Sequence, residues 1–100
     1  MAHDVFISYS RRDADVASTI RGTLETAGVR CWIDTRDERA GLNWAEQIVS
    51  ALKSSRAVVL IHSRHTANSA VPREIGFADS LKLPLVPVRV DNTPMAGGGL

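Results

Sequence analysis

The sequence has few of the features that mark a specialised class of protein. It contains one cysteine, so no internal disulfide can form, which fits a reducing cytoplasm. Twelve basic and eleven acidic residues leave a net charge of +1, too small to attract nucleic acid or a membrane surface. The longest apolar run, residues 57–61, cannot span a bilayer, and the first residues resemble no signal peptide. We therefore expect a cytoplasmic domain with no nucleic-acid or membrane partner.

Metal ligands are also scarce. None of the three histidines, His3, His62 and His65, lies in a cluster of cysteines or carboxylates at metal-ligand spacing, so no metal site is predicted. With 100 residues, of which 44% are hydrophobic and 23% charged, the chain should form one globular domain around one core.

Strand-like and helix-like segments alternate along the chain. Strands rich in β-branched and apolar residues are predicted at 4–9, 30–34, 57–62 and 85–90. Apolar residues at helical spacing predict three helices. The first carries the stripe of Val16, Ile20, Leu24 and Ala27. The second spans 44–54 with Ile48, Ala51 and Leu52 on one face, and the third spans about 69–83 with Pro72 in its first turn. Asp13 or Asp15 is expected to cap the first helix, and Gly28 to end it in the left-handed conformation.

This alternation predicts an α/β fold with a parallel sheet between two helical layers. Right-handed crossovers then favour a flavodoxin-like, doubly wound topology with strand order 2-1-3-4. The winding direction reverses between the first and third strands, so the loops that follow them, 10–13 and 63–68, should flank a crevice at the carboxyl edge of the sheet.

One carboxylate in the third helix is unexpected. Glu74 shares a helical stripe with Phe77, Ala78 and Leu81, so it should face inward near the mouth of the crevice. Two interpretations remain open. In the first, Glu74 is an ordinary helix-start glutamate that interacts favourably with the helix dipole or pairs with Arg73 or Arg11. In the second, it is held there for a chemical role.

Six segments, in order, resemble the motifs of Toll/interleukin-1 receptor (TIR) domains, with bacterial members the most similar in style. They are "DVFISYS" at 4–10, "RCWID" at 30–34, "DERAGLNW" at 37–44, "SSRAVVLIHS" at 54–63, "REIGFA" at 73–78 and "LPLVPVRVD" at 83–91. The resemblance implies a TIR domain over residues 1–91 and a flexible tail over 92–100, with the last strand and helix of the family missing or truncated.

The family resemblance implies two functions. Many TIR domains are non-catalytic modules that associate with other TIR domains in signal transduction. Others cleave NAD⁺ at the nicotinamide–ribose bond in defence or signalling proteins, some with cyclisation of the ADP-ribose, and NAD⁺ is then the substrate with no further cofactor. In these enzymes an essential glutamate falls on Glu74.

The resemblance also implies substrate-binding residues. Residues just after the first strand correspond to Ser10, Arg11 and Arg12, and the loop that closes over the ligand corresponds to Gly41 and Trp44. Many enzymatic members carry a tryptophan four residues before the glutamate, and Ala70 stands there in this chain. Trp44 is a candidate to supply the missing stacking surface.

The chemistry of NAD⁺ fits a single carboxylate. Glycoside hydrolysis usually takes two carboxyl groups, one of which protonates the leaving group. Nicotinamide leaves as a neutral molecule without protonation, so one carboxylate that stabilises the developing positive charge can suffice. A phosphate-dependent receiver domain shares the topology, but it would need an acceptor aspartate after the third strand, where His62 and Ser63 stand.

Overall fold

The computed structural model of the chain describes residues 3–33 and 44–94, with only the backbone of Trp44. Four strands alternate with three α-helices. They are β1 (Val5–Ser8), α1 (Ala14–Thr26), β2 (Cys31–Ile33), α2 (Trp44–Lys53), β3 (Ala57–His62), α3 (Val71–Ser80) and β4 (Leu85–Arg89). Two short 3₁₀ turns, Arg11–Asp13 and Thr66–Asn68, precede α1 and α3. No helix in these two stretches is long and apolar enough to cross a membrane.

The sheet has the predicted topology. All strand pairs are parallel, and the order is β2-β1-β3-β4. Each predicted strand end agrees with the structure to within one residue. The doubly wound, flavodoxin-like fold is therefore confirmed, and β1 lies beside β3 at the point where the winding reverses.

Each face of the sheet buries its own apolar cluster, because alternate side chains of a strand point to opposite faces. On one face Phe6 and Val58 pack with the α2 stripe of Ile48, Ala51 and Leu52, together with α3. Fully burying one large aliphatic side chain stabilises the fold by about 1.5–3 kcal/mol, so Ile48 and Leu52 hold α2 on the sheet. The predicted buried face of α2 is confirmed.

The opposite face is covered by α1. Ile7, Val59 and Ile61 pack there with Ala17, and the predicted α1 stripe of Val16, Ile20 and Leu24 is half-buried against them. With α1 on one face and α2 and α3 on the other, the domain has three layers.

The helices α1 and α3 end in the same hydrogen-bonded motif. At the end of α1, Gly28 N donates to Glu25 O at 3.0 Å and Val29 N to Leu24 O at 2.9 Å. Gly28 has a φ of 90°, so the predicted left-handed glycine is confirmed. Ala27, the last residue of the predicted stripe, is the exposed cap residue that follows Thr26.

The predicted range of α3, 69–83, is too long at both ends. A 3₁₀ turn and the cap residue Ala70 precede the helix, with Pro72 tolerated in its first turn as expected. Its last residue is Ser80, because Lys82 turns into the left-handed region with a φ of 60°. Lys82 N donates to Asp79 O at 2.9 Å and Leu83 N to Ala78 O at 3.0 Å, which repeats the motif of α1.

Within the described residues, β4 pairs only with β3. Val90 N donates to His62 O of β3, so by alternation the N–H groups of Val86 and Val88 also face β3. The position of Pro87 in β4 therefore removes a donor from the opposite edge of the strand. A proline at that edge disfavours pairing with another strand.

Candidate functional site

A cavity lies at the carboxyl edge of the sheet, where β1 and β3 end side by side. Its volume is about 200 Å³. Its walls come from the loop after β1 and from the segment that leads into α3: Tyr9, Ser10, Arg11, Arg12, Asn68, Ser69 and Ala70. This is the crevice predicted at the switch point of the sheet. Three residues predicted to bind substrate, Ser10, Arg11 and Arg12, come together in its wall.

Local hydrogen bonding shapes the β1 side of the cavity. Ser10 is buried, and its hydroxyl accepts a hydrogen bond from Arg12 N at 3.3 Å, which caps the 3₁₀ turn. The turn places two exposed arginines, Arg11 and Arg12, at the cavity wall. Guanidinium groups bind phosphate oxygens through paired hydrogen bonds, so this wall suits an anionic ligand.

Glu74 faces inward, as its helical spacing predicted, and is almost completely buried. Only 1% of the residue is exposed. Its backbone N donates to Ala70 O at 3.1 Å, so it lies one helical turn beyond the cavity wall and is not itself among the lining residues. This burial rules out a solvated surface glutamate.

The Glu74 carboxylate is bonded to the sheet. Ser8, the last residue of β1, donates its hydroxyl to Glu74 Oε1 at 2.7 Å, and Ser8 is fully buried. Burying a charged or polar group costs free energy that hydrogen bonds only partly return, and an apolar side chain would fill this position at lower cost.

A second buried contact joins the two loops around the cavity, and sequence reasoning missed it. The Ser63 hydroxyl donates to Asp13 Oδ2 at 2.5 Å, and both residues are buried. Asp13 or Asp15 was expected to cap α1. Asp13 is the N-cap residue, but its side chain makes no capping bond and reaches Ser63 instead. The available signal was position, because these residues follow the two strands that meet at the switch point.

The loop after β3 is held at further points. Ser63 N donates to Thr66 Oγ1 at 2.8 Å, and His65 N donates to Ser63 Oγ at 3.0 Å. Beyond β4, Asp91 accepts hydrogen bonds from Arg64 N at 3.0 Å and Thr93 N at 2.9 Å. These backbone donors lower the pKa of Asp91 from an ordinary 3.8 to about 2.

Other reactive side chains among the described residues do not form a site of their own. His62, at the end of β3, has its Nε2 3.0 Å from Pro94 O. Cys31 is buried, and burial raises the pKa of its thiol, which makes it a poor nucleophile. Across residues 3–33 and 44–94, no three His, Cys, Asp or Glu side chains are grouped so that they could hold a metal ion.

A second, larger cavity of about 660 Å³ lies between β2 and α2. It is lined by His3, Trp32, Glu46, Gln47, Ser50, Ala51 and Ser54. Among the described residues, its only charged side chain of fixed sign is the exposed Glu46, and none is an arginine or lysine that could bind a phosphate group. This described lining therefore suits an anionic nucleotide less well than the cavity beside Arg11 and Arg12.

Two of the predicted substrate residues cannot be compared with this geometry. Gly41 lies outside the described residues, as does the rest of the 35–43 loop. Trp44 is the first residue of α2, and its side chain is not described.

Comparison with known proteins gives a consistent result. The model of the TIR domain family matches residues 5–99. The chain resembles the TIR domain of the Toll-related receptor TRR-2 from Hydra magnipapillata, with a TM-score of 0.81 and 22% identity over 96% of this chain and 77% of that one. A search of curated proteins gave no match.

Two further solved structures are similar over a smaller share of their own length. A metazoan TIR-STING receptor from C. gigas has a TM-score of 0.73 and 28% identity, over 90% of this chain and 31% of that one. The TIR domains of the activated Roq1 resistosome, which directly recognises the pathogen effector XopQ, give 0.74 and 21%, over 92% of this chain and 60% of that one. The closer similarity to bacterial members stays a prediction. The family match and the shared fold together show that this chain belongs to the TIR domain family.

Proposed function

We propose that this TIR domain is an NAD⁺ glycohydrolase that uses Glu74 as its catalytic carboxylate. The observation that carries the proposal is the burial of Glu74, at 1% exposure, one helical turn from the cavity that Ser10, Arg11 and Arg12 line. Family resemblance implies a glutamate at this position in the TIR enzymes. The cost of burying a carboxylate at the switch point is accounted for if the group serves catalysis.

In this reaction the bond between the anomeric carbon of the ribose and the nicotinamide nitrogen breaks. Its electron pair goes to the nitrogen, so nicotinamide leaves neutral and the positive charge moves to the ribose as an oxocarbenium-like centre. The Glu74 carboxylate stabilises that charge, more strongly in a buried site than in water. Water then adds to the anomeric carbon and releases a proton, and ADP-ribose is the product. A member of the family that cyclises would use an internal nucleophile in place of water.

The cavity suits part of the substrate. Arg11 and Arg12 provide guanidinium donors for the pyrophosphate, and Ser10 provides a hydroxyl beside them. The volume of about 200 Å³ is below the roughly 300–1,000 Å³ of typical ligand pockets, so other groups must enclose the rest of the dinucleotide. Gly41 and Trp44 are the candidates that the family resemblance supplies within this chain.

A second TIR domain is the other candidate to enclose the rest of the dinucleotide. One of the similar solved chains belongs to an activated resistosome, which supports self-association as a property to test here. We expect NAD⁺ cleavage to rise more than linearly with protein concentration, because a site completed by a neighbour requires assembly.

Substitution of Glu74 by glutamine tests the proposal. Glutamine has nearly the same shape and keeps an oxygen that can accept the Ser8 hydrogen bond, so the fold should survive. Loss of the negative charge should reduce nicotinamide release by about 10²–10³-fold or more, since one preorganised electrostatic group typically contributes that much. Nicotinamide release and the melting temperature are measured on the same preparation.

The matched control is Glu46→Gln. Glu46 also lies in the first turn of a helix, α2, but it is exposed and lines the other cavity. This variant should keep the parental rate and lose at most about 0.3–1 kcal/mol of stability. A Glu74→Gln protein that cleaves NAD⁺ at the parental rate would show that Glu74 is not catalytic. No cleavage by the concentrated parental protein, or by a fusion to an oligomerising partner, would favour the interaction-module function.

A further inference from the structure

Ser8 is an unusual residue for its place in the sheet. It ends β1, a central strand with β2 on one side and β3 on the other, and it pairs in register with Leu60. Side chains alternate along a strand, so Ser8 faces the same layer as Phe6, the layer of α2 and α3. The residue is fully buried, and a buried hydroxyl is unfavourable unless it is hydrogen-bonded.

The partner of this hydroxyl is the proposed catalytic group. Ser8 Oγ lies 2.7 Å from Glu74 Oε1, a short distance typical of a hydrogen bond to a carboxylate. Ser8 has one side-chain torsion and sits on a strand that is paired on both sides, so its hydroxyl is a rigidly placed donor. Glu74 has three torsions, and a donor fixed at one of its oxygens restricts all three.

We infer that Ser8 is a positioning residue for the reaction proposed above: its hydroxyl, bonded to Glu74 Oε1, fixes the carboxylate of the proposed catalytic residue. Ser8 is fully buried and its hydroxyl is bonded to the Glu74 carboxylate, so it acts through Glu74. This inference rests on the proposed NAD⁺ cleavage, and it adds a residue that the sequence analysis did not single out.

The test compares Ser8→Ala with Ser8→Thr. Alanine removes the donor, whereas threonine keeps the hydroxyl and adds a methyl group to a fully packed position. Both variants should melt at a lower temperature than the parent. Only Ser8→Ala should lose turnover, by about 10–100-fold in kcat, because a catalytic group displaced by about 1 Å can cost 10²-fold. The KM for NAD⁺ should stay within about two-fold, since the cavity wall is unchanged.

A merely structural role makes a different prediction, in which kcat follows the melting temperature in both variants. That pattern, or a parental kcat for Ser8→Ala, would overturn the inference. If Ser8→Ala does not fold, Ser8→Cys replaces it, because a thiol has nearly the same shape and is a weaker donor. Its kcat should lie well below that of Ser8→Thr, and equal values for the two would overturn the inference.

Glu74→Gln is assayed alongside, so that the two failures can be told apart. If the parent is active and Glu74→Gln is inactive, a parental kcat for Ser8→Ala refutes the role of Ser8 alone. If the parent releases no nicotinamide, or Glu74→Gln keeps the parental rate, the proposed function fails and the role of Ser8 fails with it.

Discussion

The hydrogen bond between Ser63 and Asp13 should be a main support of the crevice, and its contribution can be measured. Ser63→Ala removes a hydroxyl that donates to Asp13 Oδ2 at 2.5 Å and accepts from His65 N at 3.0 Å. Hydrogen bonds to charged groups contribute about 1.5–3 kcal/mol, and neutral ones about 0.5–1.5 kcal/mol. We therefore expect Ser63→Ala to lower the free energy of unfolding by about 2–4 kcal/mol.

Asp13→Asn is the second arm of a double-mutant cycle. Asparagine keeps an oxygen that can accept from Ser63 but loses the charge, so the bond should weaken to the neutral range and the variant should lose about 1–2 kcal/mol. Both residues are buried and in direct contact, so the two losses should not add. A coupling free energy of about 1–2 kcal/mol is expected, within the range measured for contacting pairs.

Urea unfolding followed by tryptophan fluorescence provides the assay, since Trp32 is half-buried and stacked on Phe6 at 4.8 Å between ring centroids. Asp15→Asn is the matched control. Asp15 is an exposed aspartate in the first turn of α1, so its substitution should cost about 0.3–1 kcal/mol and show no coupling with Ser63→Ala. A coupling below about 0.3 kcal/mol for Asp13 and Ser63 would show that the bond contributes nothing in solution.

Two further predictions concern the loop after β3 and the helix ends. The pKa of Asp91 is lowered to about 2, so its stabilising contribution is complete above pH 3.8 and is lost as the pH falls towards 2. Between pH 5 and pH 2, the melting temperature of Asp91→Asn should therefore fall less than that of the parent. Equal losses would contradict this. Gly28→Ala should lower the free energy of unfolding by about 1 kcal/mol through backbone strain alone, because no atom lies within 4 Å of the added methyl group. Lys82→Gly should raise the free energy of unfolding by up to about 1 kcal/mol, because glycine adopts the left-handed conformation of Lys82 without strain. Chemical denaturation separates these last two variants, and a change of the same sign in both would refute the strain argument.

The sequence was sufficient for the fold because the fold depends on patterns that are local in the chain. Runs of β-branched and apolar residues predicted every strand end to within one residue, and the general handedness of crossovers then led to the observed strand order. Gly28 was predicted because a glycine after a helical stripe is a strong signal of a left-handed residue. Lys82 adopts the same conformation without that signal, since the Leu83–Ala78 and Lys82–Asp79 hydrogen bonds stabilise it, and the end of α3 was therefore missed.

The candidate site was predictable only in part. Helical spacing predicted that Glu74 faces inward, and the switch-point rule predicted that Ser10, Arg11 and Arg12 lie at the crevice. Only the tertiary structure showed that Glu74 is almost fully buried and bonded to Ser8, 66 residues away, and that Asp13 bonds to Ser63, 50 residues away. Periodicity tells which face of an element a residue occupies. A hydrogen bond between distant side chains depends instead on the register of β1 and β3 and on how α1 and α3 pack against the sheet. The packing of the whole domain sets these positions to a fraction of an ångström.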